Sequence, residues 1–394
     1  MEKTIERKNN RMVKGLLIIL LFIGLITLAG CWSSRELNEQ AFVIGAGIDL
    51  DEDGKIKVTV QLIQLKKVKK KEELATLVLA SKGETLFEAI RKFIPLTGRE
   101  MLWYHLQMIV IGPTIAQKDI TPFLDFFIRN HEIRPTPSVI FSQVPTEKIL
   151  TARSPLESIT ALGITKGLEA QNRSLSFAPQ IQVYQFNQMM LSPGKVGYAP
   201  MIYRIKKGVH PLALVEGMAV IKGGKWVGEL NSKETRGVLW VRGEVEGGIL
   251  VIPIPGTKEE NKVTGKISLE IMRNNTSIKP VLKEGDLSVT LDIKSTMNIG
   301  EILGPLQVDR RTLEDIKHNA AMEIKREVNS SLGKTQKKWK ADTYGIKDAV
   351  HRKYPDYWKK NKEKWEDIFS DLPIEVNVSV DIPGQGLAKH SEEK

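Results

Sequence analysis

The chain has 394 residues, 41% of them hydrophobic and 27% charged, and a formal charge of +11. A single ordinary domain holds about 100–200 residues, so two or three domains are expected. Beyond the first thirty residues no apolar run approaches the roughly 18 residues of a membrane span, which excludes a protein that crosses the membrane repeatedly.

The chain opens on a basic stretch, Lys3 to Lys14, followed by the apolar run from Leu16 to Ile26 and then Thr27-Leu28-Ala29-Gly30-Cys31. A basic start, a short apolar core and small residues before a cut form the pattern of a secretory signal. Leu28-Ala29-Gly30-Cys31 resembles the lipobox of bacterial lipoproteins. Cys31 is the only cysteine. It can form no intramolecular disulfide and no cysteine-based zinc cluster, and its thiol is the expected acceptor of a diacylglyceryl group. Two acyl chains hold a protein on a bilayer stably, since each buried CH₂ contributes about 0.8 kcal/mol. Residues 1–30 carry five positive and two negative charges, which leaves +8 for the rest. A basic mature protein suits anionic head groups or acidic partners. Behind an export signal, nucleic acid is not an expected partner.

In the mature chain, Ala41–Ile44 and the alternating Ile56, Val58, Val60 and Leu62 predict a hairpin turning at Asp53-Gly54. Lys66, Lys67 and Lys69–Lys71 read as a basic loop. Thr85-Leu86-Phe87-Glu88 is a capping box, opening a helix whose apolar face is Leu86, Ala89, Ile90 and Phe93. Leu106–Ile111 predicts a buried strand ended by Gly112-Pro113. Thr121-Pro122 starts a helix through Leu124, Phe127 and Ile128. Ser138–Val144 reads as a strand and Pro155–Leu168 as a helix. Alternation of strands and helices predicts an α/β-like layer over about 35–205. Residues 171–211, broken by several prolines and glycines, read as a connector.

The second half is richer in alternating strands. Met218–Ile221 and Lys225–Val227 flank the two-residue turn Gly223-Gly224. Ile267, Leu269 and Ile271 alternate with polar residues, as do Leu287–Ile293 and Ile374–Ile382. Leu313, Ile316, Ala320, Ile324 and Val328 form a helical stripe starting near Thr312, and Trp358, Trp365 and Phe369 form another. The fold class is therefore α+β: a mixed multi-domain chain with an N-terminal α/β-like layer and a C-terminal antiparallel sheet covered by helices.

No catalytic constellation emerges. Val43–Ile48 lacks the third glycine of a dinucleotide fingerprint, since Leu50 stands there, and a hairpin follows where a helix is needed. Asp49-x-Asp51-x-Asp53-Gly54 copies the start of a calcium loop, but Val60 occupies the bidentate glutamate position. It reads as a solvated acidic turn. The histidines at 105, 131, 210, 318, 351 and 390 share no metal-ligand spacing. No enzyme activity, cofactor or metal is expected.

Several segments together resemble one family. Cys31-Trp32-Ser33-Ser34-Arg35-Glu36-Leu37-Asn38 and Ile44–Asp49 resemble the opening of the Ger(x)C family of spore germination lipoproteins. Phe126–Pro135, Glu216–Val220, Gly223–Gly228, Thr235–Trp240, Lys340–Asp342, Asp348–Pro355 and Trp358–Trp365 continue the resemblance in order. Ser33 departs from the aspartate often found after the first tryptophan. The resemblance implies a lipid-anchored, non-enzymatic C subunit of a nutrient germinant receptor, on the outer face of the spore's inner membrane. Its implied partners are integral-membrane A and B subunits and, through Cys31, membrane lipid. It also implies a signal peptide over 1–30, an N-terminal germination-protein domain over 32–205, a small β-rich middle domain over 206–260 and a C-terminal α+β domain over 261–386. His131 and Arg134, in the polar segment after a helix, are candidate partner contacts. The alternative is a lipoprotein that itself binds a small nutrient solute.

Overall fold

The computed structural model describes residues 13–19, 40–68, 71–130, 132–206, 210–255, 258–259, 262–263 and 265–383; for 64–75 and 258–263 it describes the backbone alone. Residues 13–19 are helical (α1). Cys31 and His131 lie outside the described residues.

The first sheet runs β3-β2-β1-β5-β6-β7-β8-β9. Its members are β1 (Gln40–Leu50), β2 (Ile56–Val68), β3 (Lys71–Gly83), β5 (Met108–Ile111), β6 (Ser138–Ser142), β7 (Val196–Lys206), β8 (Pro211–Lys222) and β9 (Lys225–Leu230), with β4 (Glu100–Leu102) added beside β1. The central pairings β1–β5, β5–β6 and β6–β7 are parallel, and hairpins close both ends. Parallel strands need crossovers and are covered on both faces, which is why β5 and β6 are buried at every position. Helices α2 (Leu86–Arg91), α3 (Phe93–Thr97), α4 (Pro113–Ala116), α5 (Thr121–Arg129) and α8 (Val183–Leu191) contribute Leu86, Phe93, Ile115, Phe127 and Phe186 to one core. On the opposite face, α6 (Thr146–Leu150) and α7 (Thr160–Ser174) contribute Ile149, Ile164 and Leu168, which meet Ile44, Val110 and Ile140.

The second sheet runs β10-β13-β14-β15. Its strands are β10 (Gly248–Pro253), β13 (Lys266–Lys283), β14 (Asp286–Leu303) and β15 (Ile374–Asp381); β11 (Lys258–Glu259) and β12 (Lys262–Val263) form a separate two-stranded ribbon. The long helix α10 (Arg310–Leu332) is capped by Asp309, whose carboxylate accepts from Thr312 N. It buries Ile316, Ala320, Ile324 and Val328, the stripe seen in sequence. A π-helical turn over Gly333–Lys338 leads on to α11 (Ile346–Lys353), α12 (Pro355–Asn361) and α13 (Trp365–Asp371). Trp358, Trp365 and Phe369 are buried, with the two indoles edge-on at 5.4 Å.

Helix α9 (Ser232–Arg242) touches strands of both sheets. Its N-terminus is a capping box: Asn231 accepts from Glu234 N, and the Glu234 carboxylate accepts from Asn231 N. All residues from Glu234 to Val241 are buried, so between the exposed Lys233 and the half-buried Arg242 the helix has no solvent face.

The expected α+β class and mixed layering are present. Other expectations are corrected. The supposed connector 171–211 contains α8 and the eleven-residue strand β7, because Pro200 and Gly197 are accommodated within a strand that bulges between Pro200 and Ile202. The helix expected over 155–168 starts only at Thr160 and continues to Ser174. The basic segment at 66–71 is not a free loop: Lys66 pairs in register with Glu73 and Lys67 with Glu72, so β2 and β3 form one long ribbon. β15 joins β14 in parallel, returning through the whole helical layer. Within 206–260, β8 and β9 extend the first sheet and β10 joins the second.

The crossing of α9 and α10 is set by Gly237. A Cβ there would stand 2.3 Å from the Glu327 carbonyl oxygen. Gly237→Ala is therefore expected to force the helices apart and to lower the thermal midpoint by several degrees. Gly167→Ala, in α7 with open space around the added methyl, should be neutral or stabilising by about 0.5–1 kcal/mol. Equal midpoints for Gly237→Ala and the wild type would contradict the close crossing.

Candidate functional site

Three polar constellations stand out from the apolar cores. The first joins the sheets. Arg236, on α9, makes a bidentate ion pair with Glu327 on α10: Nε donates to Oε2 at 2.9 Å and Nη2 to Oε1 at 2.5 Å. The two side chains are 3% and 2% exposed. Arg236 Nη1 donates to the carbonyl of Ile249 on β10 at 2.9 Å, and the guanidinium lies over the Phe177 ring. Trp240 Nε1 donates to Glu327 Oε2 at 3.0 Å. Every strong donor and acceptor of this pair thus has a partner, the condition under which a buried ion pair is tolerated.

Next to it lies a polar cleft of about 370 Å³ between α8, β7, the end of α9 and the loop before α11. Arg242 Nε donates to Glu244 at 2.8 Å, Nη1 donates to the Thr343 carbonyl at 3.3 Å, and its guanidinium covers the Tyr198 ring. Lys347 donates from Nζ to Ser192 Oγ at 2.6 Å and to the Pro193 carbonyl at 2.9 Å. Burial pushes the Lys347 amine below its ordinary pKa, against the opposing pull of Asp342. Asp342 is buried and accepts from the backbone N–H groups of Tyr344, Ile346 and Lys347 and from Trp365 Nε1. Burial still raises its pKa, because the carboxylate lies wholly out of water. A carboxylate committed to four donors shapes a loop and is not a free general base. These contacts strap residues of the first layer to the second.

The third is the acidic turn. Asp49 Oδ2 accepts from Thr146 N at 2.9 Å and from Thr146 Oγ1 at 2.6 Å, Oδ1 has no hydrogen-bond partner among the described residues, and burial raises the pKa. Asp51 is ion-paired with Lys82. The turn closes through Asp51 N to the Lys55 carbonyl and Gly54 N to the Asp51 carbonyl. Asp49 is thus a buried tie between β1 and α6 and not a solvated residue of the turn, a correction to the reading of Asp49–Asp53. Among the described residues no group of three or more potential ligands could hold a metal ion.

Of the residues singled out in sequence, Arg134 is exposed in the segment between α5 and β6, and Asn130 accepts from Glu132 N through its side chain. Arg236, Trp240 and Asp342 fell within segments read only as family-like. Arg236 and Trp240 are placed by α9, whose capping signal Asn231-x-x-Glu234 was available in sequence, whereas Asp342 is held by donors of its own loop and by Trp365.

The comparisons cover the same ground. A family model described as spore germination protein N-terminal domain matches residues 33–203, and one described as spore germination B3/GerAC like, C-terminal, matches residues 216–386. The chain belongs to the Ger(x)C family of spore germination proteins. Its relatives in that family include the Bacillus subtilis (strain 168) spore germination protein KC, 25% identical over 95% of this chain and 96% of that protein. Spore germination protein B3 of the same organism is also 25% identical, over 92% and 96%. The crystal structure of the GerBC protein shares the fold, with a TM-score of 0.56 over 86% of this chain and 97% of that one at 20% identity. The gap between the two family models, residues 204–215, takes in the end of β7 and the first part of β8.

Two measurements follow. Glu327→Gln leaves the Arg236 charge buried without its counter-charge and should cost about 3–5 kcal/mol, read as a lower urea midpoint. Replacing the pair together by Arg236→Met and Glu327→Leu should recover much of that loss; an additive loss would contradict the pair. Asp49 has a folded pKa above its ordinary 3.8, so its proton stabilises the fold at low pH and that contribution is lost as pH rises through the raised value. Asp49→Asn keeps a carbonyl for Thr146 and does not ionise. The melting temperature of the variant relative to wild type should therefore improve from about pH 4 to about pH 7; a pH-independent difference would show that Asp49 is not desolvated.

Proposed function

We propose that this protein is the lipid-anchored, non-enzymatic C subunit of a nutrient germinant receptor and acts by assembling with integral-membrane A and B subunits on the outer face of the spore's inner membrane. The observation that carries the proposal is the run of both germination-protein models, in order, along a chain that spans nearly the whole length of its relatives. The leader fits it. Leu16–Ile19 of α1 are exposed, as an apolar signal core is before membrane engagement, and the only cysteine follows the small residues Ala29-Gly30. Among the described residues no helix is long and apolar enough to cross a membrane. A tether at Cys31 confines the folded body near integral partners and raises its effective concentration for them, so weak contacts suffice for assembly. The buried polar groups of the seam are engaged in structural contacts, which supports a role exercised through surfaces. Arg134, exposed beside Asn130, is a candidate contact for the membrane subunits, together with His131.

A second reading, direct capture of a small polar solute, draws on the cleft lined by Tyr198, Arg242, Glu244 and Lys347. Isothermal titration of candidate nutrients into the mature protein separates the two readings: heat of binding abolished by Arg242→Ala supports capture.

Cys31→Ala should abolish incorporation of a fatty-acid analogue, because no other thiol can accept lipid; full labelling of that variant would sink the anchor. His131→Ala with Arg134→Ala should leave the melting temperature unchanged while reducing co-purification with the membrane subunits. A lower melting temperature with normal co-purification would place the contact elsewhere.

A further inference from the structure

The first sheet ends on β3, and that edge differs from the edges formed by β9, β10 and β15. β9 carries Lys225 and Glu229 and gives its Gly228 carbonyl to Trp226 Nε1. β10 gives its Ile249 carbonyl to Arg236 and ends on Pro253. β15 carries Glu375 and Asp381. Charges, proline and side-chain bonds of this kind keep an edge from templating another strand. Over Thr76–Ser81, β3 has no charge, proline or glycine. Among the described residues, its backbone from Thr76 to Lys82 bonds to β2 alone. Every second residue of that stretch therefore turns its N–H and C=O outward. Lys82 is ion-paired with Asp51 of the same chain.

Both cores of the first layer run out at this edge. Leu77 and Leu79 pack at the margin of the core that α2 covers, beside Leu62 and Val60. Val78 packs at the margin of the opposite core, covered by α6 and α7, and stands beside Gln61. Every residue from Thr76 to Ala80 is half-buried. A second copy of the strand complements this stretch. A two-fold axis normal to the sheet and passing through Val78 sets Val78 opposite itself, Leu77 opposite Leu79 and Thr76 opposite Ala80. Facing residues of an antiparallel pair share a face, so leucine meets leucine on one face and valine meets valine on the other. Such a contact uses the same patch twice and closes at two copies.

We propose that β3 pairs with β3 of a second copy of this chain in that register, joining two nine-stranded sheets edge to edge. The five paired residues form a strip about 17 Å long and about 10 Å thick. That is well below the roughly 800 Å² per partner of a stable interface. The contact is accordingly weak in solution and forms on a membrane, where the tether at Cys31 proposed above confines the copies and raises their effective concentration. With the two-fold axis along the bilayer normal, both tethers reach the same membrane.

The test uses the full lipidated protein on phosphatidylcholine vesicles. Co-flotation reports on the anchor separately, so loss of the tether is told apart from loss of the strand contact. Cys31 is the only native cysteine, and with lipid on its sulfur an introduced cysteine is the only free thiol. Facing residues of an antiparallel pair lie about 4.5–5.5 Å apart at Cα, within disulfide range. Val78→Cys, oxidised with copper phenanthroline, should cross-link to a dimer at least about tenfold faster than Ser379→Cys, which is exposed on β15 and reports random collisions. Thr76→Lys with Ala80→Lys, added to Val78→Cys, sets like charges opposite each other and should bring cross-linking down to the Ser379→Cys rate. Thr76→Lys with Ala80→Glu sets opposite charges there and should restore it. The two positions are about 13 Å apart within one strand, so the charge swap acts between copies. Melting temperatures of the two double variants check that both fold; a fold lost in the first leaves the Val78→Cys and charge-swap rates to decide. Cross-linking at 78 no faster than at 379 in protein that floats, or equal rates in the two folded double variants, would overturn the proposal.

Discussion

The structure depends on one buried ion pair. Arg236 and Glu327 tie α9, which belongs to the junction, to α10, which covers the second sheet, and Arg236 reaches on to the Ile249 carbonyl of β10. Removing two charges from water costs several kcal/mol per ion, and the attraction repays it only when the remaining donors and acceptors are satisfied. Here Trp240 and the Ile249 carbonyl satisfy them. Breaking either side would leave a charge stranded where no water reaches. An apolar pair could hold the same helices together, but it would accept sliding; a bidentate pair accepts one register. Gly237, beside Arg236, lets the backbones approach closely enough for the pair to close.

From that junction the remaining polar contacts make mechanical sense. Glu234, whose side chain caps α9, also takes Lys334 at 2.6 Å. Tyr344 bridges Ser331 and Thr335 through its hydroxyl, and Asp342 holds the loop that delivers Lys347 to Ser192 and Pro193. The chain of contacts runs from the second sheet through α10 and the π-helical turn back to α8 of the first layer. These contacts strap the first layer to the second at several points along one path.

Much of the architecture was legible because it follows from periodicity. The alternations at Ile267–Ile271, Leu287–Ile293 and Ile374–Ile382 each became a half-buried strand, and the stripe from Ile316 to Val328 became the buried face of α10. The Thr85 N-cap, whose hydroxyl accepts from Glu88 N, and Gly223-Gly224 stand where local chemistry placed them, although Glu88 reaches back to Glu84 N and not to Thr85 N, so the capping box is only half formed. What failed to show has a common cause. α9 is buried on every side from Glu234 to Val241, so it shows no amphipathic stripe there, and Arg236 reads as a surface residue until Glu327 is known to face it. β7 contains Gly197 and Pro200, strong breaker signals that tertiary pairing with β8 overrode. Lysines at 66–71 suggested a loop, yet the backbone of β2 stays in register with β3 as far as Val68 opposite Lys71. Asp49 looked solvated because the residue that buries it, Thr146, is 97 positions away. Each miss is a long-range partner that one-dimensional patterning does not carry.

The family was legible from segments spread over most of the chain, and two family models cover the same two halves. The central claim, a tethered subunit required for nutrient-triggered germination, is tested most directly in spores that lack this protein. The account predicts that such spores fail to germinate on the nutrient their receptor serves and recover when the intact chain, with Cys31, is returned. Germination at the wild-type rate on every nutrient to which the parent spores respond would contradict it.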